Sequence, residues 1–102
     1  MNVYEGCGTA VTVNGQALDP CLDVVNHSPT GFAWGYGGSG PSQLALAIMV
    51  HEFGRDLSKH PQHYQDFKWA FVARFPDTFT LTSTEILSWV SRYDPTEGDN
   101  AD

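Results

Sequence analysis

Apolar positions follow three different periods along the chain. Up to about residue 36 they alternate with polar or small residues, from Leu44 to Val50 they run without interruption, and beyond Pro61 they recur every three to four residues. Alternation marks a strand with one buried face, an unbroken apolar run marks an element buried on most sides, and the wider spacing marks an amphipathic helix. Val11 and Val13 flank Thr12, Asn14-Gly15 follows, and residues 16–18 resume the apolar pattern, which predicts a hairpin over about residues 9–19. Tyr4 lies in a short preceding segment, cut off by Gly6 and Gly8, that supplies a further strand or an edge. Residues 21–25 fit a strand or one helical turn, and residues 26–31, around Ser28-Pro29, read as loop. Phe32, Trp34 and Tyr36 alternate with Ala33 and Gly35 and predict a strand ending near Tyr36 with one aromatic face.

The centre of the chain is the passage from that aromatic segment through a glycine-rich turn into an apolar helix. Gly37, Gly38 and Gly40 permit positive φ and close backbone approach, and the fixed φ of Pro41 suits the start of a helix. A helix is expected from about Pro41 to Gly54, with Ser39 or Gly40 as N-cap and Gln43 reaching back in a variant of the capping box. Pro61 opens a second helix whose stripe is Tyr64, Phe67, Phe71 and Phe75, ending before Pro76. Thr82-Ser83-Thr84-Glu85 is a capping box for a third helix, with Ile86, Leu87, Val90 and Tyr93 as its buried face and Phe79 and Leu81 as a short extended lead-in. Strands followed by helices predict an α+β fold, a small N-terminal antiparallel sheet of hairpin plus aromatic strand packed on about three helices.

A chain of 102 residues builds one core, here expected over residues 1–93. Residues 94–102 hold four acids and no base, and are expected to form an acidic disordered tail. No apolar run approaches the roughly 20 residues of a membrane helix and no basic-then-apolar leader is visible, so a soluble protein of the cytoplasm without membrane contact is expected. Cys7 and Cys21 read as reduced thiols. Twelve acids against five bases give a net charge of −7, and so few cations disfavour a groove that neutralises nucleic-acid phosphates.

Candidate chemistry changes this picture little. Gly35, Gly37 and Gly40 fit G-x-G-x-x-G, but no second parallel strand with a ribose-binding acid follows and no phosphate-loop lysine is present. What survives is anion or nucleotide binding on the helix N-terminus around Gly38 and Ser39. Ser39 as a nucleophile lacks the second glycine of an elbow, which is Pro41, and lacks a placed base. His51-Glu52 begins a zinc-protease pattern whose second histidine falls on Arg55, so no metal or catalytic set is assigned and no cofactor is expected. Trp34, Tyr36, Trp69 and Trp89 are candidate partner anchors, because large rings with a polar tip serve at interfaces as well as in cores.

The segment of residues 31–50, GFAWGYGGSGPSQLALAIMV, resembles the signature of a domain-of-unknown-function family of small proteins carried by phages, prophages and plasmids. The matching positions are Gly31, Phe32, Trp34 to Pro41 and Gln43 to Ala47, preceded by His27-Ser28-Pro29. That resemblance implies no reaction and no catalytic residue; it implies a genomic setting in which small acidic proteins act on host complexes. The expected function is therefore that of a non-catalytic binding protein, an inhibitor of a host defence complex of the anti-CRISPR kind. It would present Asp19, Asp23, Glu52, Asp56, Asp66 and Asp77, with Trp34, Tyr36, Gly38, Ser39 and Gln43, to a cationic nucleic-acid-binding surface of that partner. The alternative is a small-ligand or nucleotide-binding domain using the glycine turn.

Overall fold

The computed structural model describes residues 1–56 and 64–92. Strands β1 (Val3–Cys7), β2 (Ala10–Val13), β3 (Gln16–Ala17) and β4 (Thr78–Thr82) form one antiparallel sheet in the order β3-β2-β1-β4. Helices α1 (Ser39–Phe53), α2 (Tyr64–Ala70) and α3 (Ser83–Arg92) accompany it, with a 3-10 turn at Val72–Arg74. The fold is α+β. The expected helix start at Pro61, the packing of Tyr93 and the acidic tail fall outside the described residues.

The hairpin turn forms because Asn14 and Gly15 both take left-handed backbone, with φ of 54° and 84°, the geometry that lets a two-residue turn follow the strand twist. The aromatic segment, in contrast, is not a strand. Residues 31–37 are irregular, since Gly31 (φ 132°) and Gly35 (φ 88°) break any extended run, and the Gly35 N–H donates to the Val72 carbonyl at 3.0 Å. The fourth strand is β4 instead, which pairs with β1 from Val3↔Thr82 to Cys7↔Thr78. Gly6 has no side chain because the Phe79 ring crosses it; a Cβ there would lie 2.1 Å from that ring.

Tyr4, Val11, Val13, Phe79 and Leu81 turn inward and share a core with Leu44, Ala45, Ala47, Ile48 and Met49 of α1. On another side of the helix Leu46 and Val50 pack with Cys21, Val24 and Val25. Covered in this way, α1 is buried continuously from Gly40 to Val50, as its unbroken apolar run requires. It begins earlier than expected, with Gly38 as N-cap and Ser39 as first residue, and it ends at Gly54 (φ 101°), whose N–H donates to Val50 at 2.7 Å. Pro41 is tolerated as the third residue because the first N–H groups of a helix have no intrahelical acceptor.

Helix α2 is shorter than its aromatic stripe. Phe71 and Phe75 follow it in the turn, and Phe75 stacks on Phe79 with centroids 4.0 Å apart. The capping box of α3 is reciprocal: Glu85 Oε1 accepts the Thr82 N–H at 3.1 Å and Thr82 Oγ1 accepts the Glu85 N–H at 3.3 Å. Ile86 is fully buried, which turns the next position outward, and Leu87 is 51% exposed rather than part of the buried face.

Candidate functional site

The residues singled out by sequence divide between the two ends of α1, about 21 Å apart at 1.5 Å per residue. At the N-terminal end, Trp34 is anchored into the fold. Its indole N–H donates to the Pro76 carbonyl at 2.9 Å and the Asp77 carbonyl at 3.3 Å, and its ring meets Phe79 edge-on at 5.0 Å. Tyr36, two residues later, turns outward and is 54% exposed, with its ring over Gly38. Trp69 of α2 lies across Gly37 and is 58% exposed, and Lys68 holds its ammonium 4.4 Å from the Trp69 ring.

The glycines of the turn are therefore required for closeness rather than for positive φ. A Cβ on Gly37 would meet Trp69 at 2.1 Å, one on Gly38 would meet Tyr36 at 2.6 Å, and one on buried Gly40 would meet the Ala33 Cβ at 2.6 Å. Of the glycines from 35 to 40 only Gly35 has a positive φ. Two large rings thus rest on bare backbone, each with a broad face in solvent, beside the exposed Ser39 and close to Asp66 in the first turn of α2. Gln65 Oε1 accepts from the Ser42 hydroxyl at 3.3 Å and ties that turn to α1.

Gln43 does not reach back as a cap. Its side chain is fully buried and uses all of its hydrogen-bonding capacity on the loop that precedes the aromatic segment. Oε1 accepts from the His27 N–H at 2.7 Å and the Ser28 N–H at 3.1 Å, while Nε2 donates to the carbonyls of Pro20 at 2.6 Å and Val25 at 3.0 Å. Sequence reasoning missed this clamp, and it also missed the contact of His27 Nε2 with the Tyr64 hydroxyl at 2.7 Å. A glutamine at the seam of an apolar helix was the available signal, since a buried amide needs partners.

At the C-terminal end the acids are engaged with the fold. Arg55 bonds both Asp23 and Asp19, an exposed pair of contacts that holds the Asp23 carboxyl below its usual range. Glu52 is half-buried. Its Oε2 accepts from the Tyr4 hydroxyl at 2.6 Å, the Asn2 amide at 2.8 Å and the Ser83 hydroxyl at 2.8 Å, tying β1, α1 and α3 together. Burial, reinforced by Glu52, pushes the Tyr4 phenol well above its ordinary value. Asp56 is exposed just beyond Arg55. Cys21 is buried with a thiol raised first by burial and then by Asp19, whereas Cys7 is exposed on the outer face of the sheet.

Among the described residues no three His, Cys, Asp or Glu side chains converge as a metal site would need, and no helix is long and apolar enough to cross a membrane. No curated protein and no solved structure matches the chain. A Family of unknown function (DUF6166) matches through its model over residues 4–92, most of the length, and the chain belongs to that family.

Proposed function

We propose that this domain is a non-catalytic binding protein that acts by docking onto another protein, with Tyr36 and Trp69 as its anchors. The observation that carries this reading is the pair of rings more than half exposed at the head of α1, each seated on a glycine and one of them braced by Lys68. Aromatic anchors held in place before contact lose little conformational freedom on binding, which is why such rings dominate interface energies. The net charge of −7 favours a basic partner surface.

The resemblance to proteins of phages, prophages and plasmids makes a host defence complex of the CRISPR type, met in the cytoplasm through its cationic nucleic-acid channel, the first partner to test. Biolayer interferometry with purified effector complexes is the measurement. Binding that weakens at least tenfold in the Tyr36→Ala/Trp69→Ala variant, with unchanged circular dichroism, is the expected result. Equal binding by the double variant would move the anchors elsewhere, and no binding to any such complex would remove this partner class.

Small-ligand binding is the second reading, supported by the N-terminus of α1, where Gly38 provides no side-chain cap. A nucleotide at 100 times its dissociation constant adds about 2.7 kcal/mol to stability. A thermal shift of that size with any nucleotide favours this reading over a purely protein-binding one.

A further inference from the structure

Strand β4 is an open edge of the sheet. The Ser83 N–H donates to the Asn2 carbonyl at 2.9 Å, and the same register continues through Tyr4↔Leu81 and Gly6↔Phe79. On the other side of β1, the Asn14 N–H donates to the Val3 carbonyl at 2.8 Å, which makes Val3, Glu5 and Cys7 the residues bonded to β2. Bonded and unbonded pairs alternate along an antiparallel ladder, so the N–H and C=O groups of Thr78, Thr80 and Thr82 turn away from β1. Glu85 takes the Thr82 N–H. Among the described residues no hydrogen bond reaches the main chain of Thr78 or Thr80 from outside the sheet.

Edges of this kind are normally blocked by lysine, proline, a bulge or extreme shortness. The other edge strand, β3, has only two residues. Strand β4 has five, Thr-Phe-Thr-Leu-Thr, with no charge, no proline and an unbroken register against β1.

We propose that a second copy of this chain pairs with β4, antiparallel about a two-fold axis at Phe79, to make one continuous eight-stranded sheet. With the axis there, Thr78 stands opposite the second copy's Thr80 and Thr80 opposite its Thr78. Both are bonded pairs, so the free N–H and C=O groups of Thr78 and Thr80 in both copies are satisfied together. An axis at Thr80 would instead require the Thr82 N–H, which the α3 cap already uses. The strand is its own complement in this register: threonine faces threonine on the outer side, and Asp77 falls opposite Leu81 rather than another acid. Two short edges bury less than the roughly 1,000 Å² of a stable interface, so the dimer forms with rising concentration.

Sedimentation equilibrium from the micromolar to the millimolar range tests this. The wild-type average mass rises from the 11.2 kDa of one chain toward twice that value. Over the same range the amide exchange of Thr78 and Thr80 slows at least tenfold. Thr80→Pro removes an outward N–H without touching the β1 ladder and holds the mass at one chain; if it fails to fold by circular dichroism, Thr78→Lys/Thr80→Lys serves in its place by setting like charges across the axis. A wild-type mass that stays at one chain overturns the proposal. So does a mass that doubles with no change in the exchange of these two amides, or edge variants that dimerise like the wild type.

Discussion

Gln43 and Glu52 are two polar side chains of α1 that each gather several hydrogen bonds, four on Gln43 and three on Glu52. Gln43→Leu keeps the volume but strands two N–H groups and two carbonyls of residues 20–28, and a loss of about 2–4 kcal/mol in urea denaturation is expected. Gln43→Glu tests the direction of the clamp, because a carboxylate still accepts from His27 and Ser28 but faces the Pro20 and Val25 carbonyls without a donor; it should be at least as damaging. For Glu52 the partner to change is Tyr4. Its phenol is raised in the folded state above the ordinary value of 10.0, so above that pH the unfolded chain releases a proton that the native chain retains. Its contribution is complete below about pH 9 and declines as pH rises past 10. Tyr4→Phe is expected to be less stable at neutral pH and to show a shallower alkaline decline, read from melting temperature against pH. The two thiols differ in access: iodoacetamide on the native protein should add one group, at Cys7, with Cys21 modified only after unfolding, as peptide mass spectrometry checks.

At the scale of elements, what could be read from sequence was what is encoded locally. Asn14-Gly15, Gly54 and the Thr82 to Glu85 box each fix backbone geometry within a few residues, and each forms as its residue types dictate. Thr82→Ala should cost about 1 kcal/mol, measured by chemical denaturation. The alternation of Phe32, Trp34 and Tyr36 misled because Gly35, at positive φ, interrupts it and Gly31, also at positive φ, precedes it, so the rings serve a loop. Strand β4 was underweighted because its partner β1 lies more than 70 residues away, and a pairing of that separation leaves no trace in either segment alone. Of the candidate site, the exposed rings were visible as residue types, but which tryptophan faces solvent depended on Gly37 meeting Trp69. The glycine turn gives a graded test. Gly40→Val, confronted by the Ala33 backbone at 3.1 Å, should lose several kcal/mol, on the order of other overpacked buried positions, while Gly38→Val displaces only the exposed Tyr36 ring and should cost much less.

For the molecule as a whole, the order β3-β2-β1-β4 places one of the earliest segments of the chain in the middle of the sheet and closes it with one of the latest. During synthesis β1, β2 and β3 leave the ribosome together and can zip locally, yet β1 keeps a bare flank until Thr78–Thr82 has been made. The Glu52 tie has the same timing, since it needs Ser83 as well as Asn2 and Tyr4. Closure of the sheet therefore waits for β4 to clear the exit tunnel, and a nascent chain stalled before residue 78 should be captured by chaperones and cut readily by protease, whereas one extended beyond residue 92 with a tether through the exit tunnel should resist.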